Sequence, residues 1–411
     1  MQYVIVGNGI AGISAVEAIR RLAPSSHITI IGDETVIPYS RPMISMVLDG
    51  SIPPEKLPIR LPTIYEDLNI QTYFGKRISE INVERHEVVI ENNQRIPFDR
   101  LLLATGADAR PIQFQGSNLK NIHYMRTDAN VRQIIRALPE VRKPLVLGGG
   151  LVGFKAAYGL LKRGLKPTLL ITSPYPLSMQ VDKMAGTMIR DELVRHGLTV
   201  QTNTSVTACE GSAKVEGARL SDGSALPCDL VIAGKGVVPA LSFVPRDIIS
   251  VDQGIRVDAH METSRQGIFA AGDVAECVDI ARKTRWINAI WPEAAMQGRI
   301  AGINMAGRKV FYPGSLSRNV MRIFDLDLMT LGLANPKPES GYDVRVAQDF
   351  RNNIYRKLVF RENILVGAVL LNNIEQGGLL LALIRNQISL NISKKNLLEP
   401  GFNFKQLLSN L

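Results

Sequence analysis

At 411 residues the chain is too long for one hydrophobic core, and 45% hydrophobic with 21% charged residues is the balance of a globular protein, not a disordered or fibrous one. Its longest apolar stretch, Gly378 to Ile384, ends at Arg385, far short of the ~20 residues that span a bilayer. Lys and Arg outnumber Asp and Glu by 48 to 38 without a nucleic-acid motif, and the three cysteines include no close pair, which argues against a disulfide framework or a cysteine-based metal site.

Met1 runs almost directly into the apolar Tyr3-Val4-Ile5-Val6, leaving no room for a signal peptide and setting the expectation of a cytoplasmic protein. That run reads as a strand, and Gly7-Asn8-Gly9-Ile10-Ala11-Gly12 follows at once. Glycines at this spacing allow a tight turn, close approach of backbone to a pyrophosphate, and packing of the next helix on the strand. Ala15, Ile19 and Leu22 predict that helix over Ile13 to Leu22, and Ile28 to Ile31 predicts a strand ending at Gly32-Asp33-Glu34. An acid ~20 residues beyond the last glycine is the expected partner of an adenosine ribose. Asp33 and Glu34 both stand there, and the sequence does not choose between them. Leu101-Leu102-Leu103 predicts another strand, ending in Ala104-Thr105-Gly106.

A second fingerprint, Gly148-Gly149-Gly150-Leu151-Val152-Gly153, follows the apolar Leu145-Val146-Leu147. Its helix is expected from Leu151 to about Arg163, with Gly164 as the stop. The next strand, Thr168 to Ile171, leads to Thr172-Ser173-Pro174. An NAD-selective site usually carries an acid here and an NADP-selective one an arginine; neither is present. Thr172 and Ser173 are candidates for a ribose hydroxyl or a phosphate, and Tyr175 for stacking on adenine. NADH is the expected substrate, with NADPH left open. Gly267 to Ala271 predicts a strand ending in Gly272-Asp273, and Trp291-Pro292-Glu293 opens a helix with proline in its first turn. After a connector over Gly314 to Asn319, strands at Tyr355 to Phe360 and Ile364 to Leu370 and a helix from Glu375 to Asn386 predict a small α+β domain. Two fingerprints in one chain imply two dinucleotides meeting, the arrangement for passing a hydride between them.

With these segments in order, residues 1 to about 315 resemble the two-dinucleotide flavoprotein reductases of the pyridine nucleotide-disulphide oxidoreductase family. The resemblance implies an α/β fold with two Rossmann-like domains. An FAD domain, 1–115 and 243–320, is interrupted by an NAD(P)H domain, 116–242, and a C-terminal interface domain, 321–411, follows. It implies FAD held by Gly7, Gly9, Ile10, Ala11, Gly12, Asp33 or Glu34, Arg41, Pro42, Ala104, Thr105, Gly106, Gly272, Asp273, Trp291, Pro292 and Glu293. NAD(H), or NADP(H), falls to Gly148, Gly150, Leu151, Val152, Gly153, Thr172, Ser173 and Gly236. In such proteins the aspartate at position 273 binds the ribityl hydroxyls. The helix after Trp291 directs its positive end at the flavin N1–C2=O edge, where reduction places negative charge.

Disulfide reductases of this family carry redox cysteines shortly after the first fingerprint. The corresponding stretch here, Pro38 to Met46, has none, and no histidine follows His260. Tyr39-Ser40-Arg41-Pro42 is instead similar to the rubredoxin-, ferredoxin- and nitrite-reductase-like branch. That branch implies hydride transfer at flavin N5 and single-electron exchange with a separate iron–sulfur or rubredoxin-type protein, in either direction. A homodimer or a subunit of a larger complex, including a tungsten-dependent aldehyde oxidoreductase, is compatible with it. Members usually pair a lysine with a glutamate beside the flavin; Met46 replaces the lysine and Lys155 the glutamate. Lys155 is therefore the candidate catalytic residue, a cation reaching the flavin from the opposite side of the pocket, against the alternative of a solvent-facing helix lysine. The rival functions are an NADH oxidase or peroxidase, disfavoured by the missing cysteine, and a flavin-bound scaffold with little turnover.

Overall fold

The computed structural model describes residues 1–390, 394–399 and 401–403; the rest of the expected interface domain, 391–393, 400 and 404–411, lies outside the described residues. The chain divides into two compact units. The first comprises Met1–Pro42, Glu55–Asp108 and Val238–Leu316, and the second Met43–Pro54, Ala109–Val237 and Ser317–Leu411. By internal contacts the inserted segment and the C-terminal segment thus count together, and a short piece after Pro42 joins them.

The first unit is built on a five-stranded parallel sheet in the order Ile268–Ala270, Arg100–Leu103, Gln2–Val6, His27–Gly32, Ile70–Phe74. Its central strands are near-continuously apolar, as a parallel sheet covered on both faces requires, and Val4 lies level with Thr29 on one side and Leu101 on the other. Helix Ile10–Leu22 packs on helix Trp291–Met305 through small residues. A β-carbon on Gly298 would run into the Ala11 backbone, and one on Gly302 into the Ala15 backbone.

The second unit repeats the parallel plan. Its five-stranded sheet runs Thr199–Gln201, Thr168–Leu170, Pro144–Leu147, Leu230–Ala233, Ile122–Tyr124. The C-terminal segment adds an antiparallel sheet in the order Arg318–Ile323, Leu326–Gly332, Ile364–Leu371, Ile354–Arg361, Asp343–Asp349, with helix Gly377–Asn386. Three of these strands lie outside the expectation, Leu326–Gly332 in the interior of the sheet and two at its edges. Arg318–Ile323 begins inside the predicted connector, and Asp343–Asp349 had no strand signal. Both are sheet edges with charged side chains, which protect an edge from pairing and also erase the apolar pattern. Among the described residues no helix is long and apolar enough to cross a membrane.

Candidate dinucleotide sites

The two fingerprints fold into the same backbone device. Gly7 and Gly148 adopt φ of +120° and +111°, a region closed to most side chains. The Gly7 amide donates to Ile31 O at 2.7 Å, and that of Gly148 to Leu170 O at 2.9 Å. A β-carbon on Gly7 would strike the Ala104 carbonyl, and one on Gly148 would lie 2.5 Å from Gly234 O. Gly12 and Gly153, the last glycine of each motif, are pressed against Gly7 and Gly148 so closely that no side chain fits. Sequence spacing alone suggests this matching.

At each middle glycine the space opens. Gly9 and Gly150 have nothing within 4 Å of where a β-carbon would stand, and each is the N-cap of its helix. Neither cap receives a side-chain hydrogen bond, and neither first turn holds an acidic residue. Helix N-termini present amides without intrahelical partners and a positive dipole end, and here no capping side chain or first-turn acid offsets them. Such ends suit a phosphate. The helices start at Ile10 and Leu151, so Ile10, Ala11 and Gly12 form the first turn and not a loop before Ile13 as predicted.

Within the first unit, the two candidate acids occupy different surroundings. Asp33 is exposed and pairs with Arg77 at 3.0 Å. Glu34 is half-buried; it accepts from the Tyr39 hydroxyl at 2.8 Å and pairs with Arg41. Pro42 follows in the same short helical turn. Ala104 is buried and Gly106 has φ +72°; between them, the Thr105 hydroxyl donates to Ala240 O at 3.2 Å. Gly272, at φ +83°, donates its amide to Gln297 Oε1 at 2.8 Å, and Asp273 follows, half-buried. Helix Trp291–Met305 opens with half-buried Trp291 and exposed Pro292, whereas Glu293 has no exposed surface and turns to Tyr312. Two bracing residues had escaped the sequence reading. Gln297 supports Gly272, and Tyr65 donates to the Asn8 side chain at 2.9 Å in the first glycine loop. Burial pushes the Tyr65 phenol up to about 12, though the bond to Asn8 works against it. Neither shows any pattern beyond its own side chain.

In the second unit Leu151 and Val152 are half-buried in the first helical turn, Thr172 is exposed, and Ser173 donates to Tyr175 O at 2.9 Å. Gly236, at φ +88°, has open space around it. The Tyr175 ring lies across Gly186, so a face assigned above to adenine is already packed on protein.

Lys155 lies on helix Leu151–Lys162, one turn before Gly159, which packs on Leu48 of helix Ile44–Leu48. Arg163, just beyond the same helix, bonds the carbonyls of Val47 (3.1 Å) and Leu48, fixing the two helices together. Lys155 itself is half-buried and has neither an acceptor nor a counter-ion among the described residues. Burial holds its amine below the usual lysine range. Met46 is partly exposed at 39%. All three cysteines are free and buried, and Cys277, beside Ser315 and Glu293, is pushed up to about 11 by burial.

Residues 1–298 match the pyridine nucleotide-disulphide oxidoreductase family. The chain belongs to that family. Residues 318–388 match the rubredoxin NAD+ reductase C-terminal domain. Over 402 residues the chain is 30% identical to the nitrite reductase (NAD(P)H) of Bacillus subtilis (strain 168), covering 97% of this chain and 49% of the relative. It thus spans about half that relative's length. It is 28% identical over 392 residues to subunit epsilon of the NADH-dependent phenylglyoxylate dehydrogenase of Aromatoleum evansii, covering 95% of this chain and 92% of that subunit. The fold superposes on a chain of the covalent putidaredoxin reductase–putidaredoxin complex with a TM-score of 0.90 and 27% identity, covering 100% of this chain and 98% of the other. Rubredoxin–NAD+ reductases of this family use FAD and NAD(H). The two uncapped helix ends and the glycines beneath them fit one dinucleotide each.

Proposed function

We propose that the chain is an FAD-dependent NAD(P)H oxidoreductase exchanging electrons with a separate iron–sulfur or rubredoxin-type protein or subunit. The observation that carries this reading is the pair of matching, uncapped helix N-termini in a chain with no cysteine between Pro38 and Met46. FAD at the first cradle supplies the capacity to accept a hydride and release electrons one at a time. The residues of the chain bind and tune. The amides after Gly9 and Gly150 hold pyrophosphates, and Glu34, oriented by Tyr39 and Arg41, is favoured over Asp33 for the adenosine ribose of FAD. The N-terminus of helix Trp291–Met305, with the first-turn acid Glu293 held by Tyr312, offers its amides to a reduced, anionic ring. Lys155, a half-buried cation without a partner among the described residues, supplies positive charge to the nicotinamide dinucleotide.

Among its relatives, one is a dehydrogenase subunit covered over 92% of its length, which supports a place in a larger complex. Three free, buried thiols are compatible with the reducing cytoplasm, which is where we place it. The test supplies NADH and, as probe acceptors, a purified rubredoxin and a [2Fe–2S] ferredoxin. Acceptor reduction dependent on bound FAD, with slow reoxidation of the flavin by air, supports the proposal. Fast air reoxidation with no acceptor reduction would replace it with an oxidase.

A further inference from the structure

The C-terminal sheet reaches the loop that follows Thr172 and Ser173. In strand Ile354–Arg361, Tyr355 and Lys357 stand on one face, and both are buried. The Tyr355 hydroxyl donates to Asp182 Oδ2 at 2.6 Å, and Lys357 Nζ lies 3.0 Å from the same oxygen. Asp182 is the N-cap of helix Lys183–Arg195, its other oxygen accepting from the Ala185 amide at 3.2 Å. Lys357 also donates to Asn335 Oδ1 at 3.1 Å. The Asn335 amide nitrogen then donates to Ser178 O at 2.9 Å and Val181 O at 2.8 Å. Asn335, Lys357 and Tyr355 therefore fix residues 178–182 as a unit.

The same loop is tied at its middle to the second glycine motif. Leu177, fully buried and in the left-handed region at φ +57°, donates its amide to Gly149 O at 2.7 Å. A leucine in that conformation persists only where its surroundings hold it. The far end of helix Lys183–Arg195 is held as well. Glu192 accepts from the Asp325 amide at 3.1 Å, and the His196 ring stacks on Phe324 with centroids 3.7 Å apart. A continuous path of bonds thus runs from Lys357 and Asn335, through Ser178 and Val181, to Leu177 and Gly149.

We propose that Asn335 and Lys357 are positioning residues for the nicotinamide dinucleotide, setting the 172–182 loop and, through Leu177, the second glycine turn. This rests on the reading of that turn as the NAD(H) cradle. The C-terminal sheet then contributes to substrate affinity without touching the substrate.

The test measures NAD+ affinity by calorimetry on the FAD-loaded full chain, comparing wild type with Asn335→Asp and Lys357→Met. Asn335→Asp keeps the side-chain volume but turns an acceptor toward two carbonyls, so it remains informative if Lys357→Met does not fold. The expected result is a Kd raised fivefold or more in each folded variant, a KM for NADH raised with kcat toward ferricyanide within twofold, and unchanged flavin content. Faster amide exchange at residues 173–182 is expected alongside, and Lys357→Arg should restore part of the affinity. Wild-type affinity in a folded Asn335→Asp protein would overturn the inference and leave the reading of the cradle intact. Absence of NAD+ and NADH binding to wild type would instead remove that reading, and the inference with it.

Discussion

Tyr312 donates its hydroxyl hydrogen to the carboxylate of Glu293, a side chain with no exposed surface in the first turn of helix Trp291–Met305. Gln297, one turn on, donates to the same phenol oxygen at 3.3 Å and accepts from the Gly272 amide, so the pair braces the turn that precedes Asp273. Burial first, and the Glu293 carboxylate second, hold the Tyr312 phenol far above the ordinary tyrosine range. Tyr312→Phe leaves a buried carboxylate short of a donor and is expected to lower stability by about 1–3 kcal/mol. Urea unfolding of the FAD-loaded protein measures this.

Gly298→Val tests how the first cradle is assembled. A side chain there meets Ala11 backbone instead of a flexible neighbour, so the two helices must separate. Overpacking of this kind costs about 1–3 kcal/mol or more. The flavin-to-protein ratio after purification should fall well below that of wild type. Gly307→Ala, in open space on the surface, is a control for position but not for backbone, because Gly307 has φ +88°.

Lys155 carries a prediction with two signs. Because burial depresses its folded pKa, the unfolded chain binds that proton more tightly, and the charged amine opposes folding at neutral pH. Lys155→Met is therefore expected to raise stability slightly in the absence of nucleotides. It should also weaken NAD(H) binding about fivefold, the loss of one charge-assisted contact worth roughly 1 kcal/mol. In wild type, affinity should decline as pH rises through the depressed lysine pKa, and the variant should lack that limb. Equal affinity in both proteins would assign Lys155 to the solvent-facing alternative.

Asp182 responds in the opposite pH range. Burial raises its pKa, but the Tyr355 hydrogen bond and Lys357 together bring it below the usual aspartate value. Its contribution is then fully present above the unfolded aspartate pKa and is lost as pH falls through the lower folded one. Asp182→Asn leaves Lys357 buried beside a neutral partner and is expected to cost up to roughly 3–5 kcal/mol, reduced by the partial exposure of Asp182. Thermal unfolding between neutral pH and pH 3 should show the wild-type curve approaching that of the variant at the acid end.

What was legible in the sequence is what repeats locally. The two glycine motifs, the strands before them and the uninterrupted apolar parallel strands follow from spacing and composition, and their helices differ by a few residues at one end. The polar edge strands Arg318–Ile323 and Asp343–Asp349 were not legible, since Ile323 is their one buried residue and charged side chains interrupt any apolar period. Neither were the braces. Gln297, Tyr65 and Asn335 act through side-chain hydrogen bonds to residues 25, 57 and 154 or more positions away, which no local pattern encodes. The choice between Asp33 and Glu34 became arguable only when Arg41 and Tyr39 were found on the second of them.

An anaerobic titration of the FAD-loaded protein with NADH, followed by the flavin absorbance, tests the claim on which the rest depends. The account predicts that about one equivalent of NADH bleaches the flavin fully, with no cysteine-to-flavin charge-transfer band appearing on the way. A protein that takes up no FAD, or one whose flavin stays oxidised under excess NADH and NADPH, would contradict it.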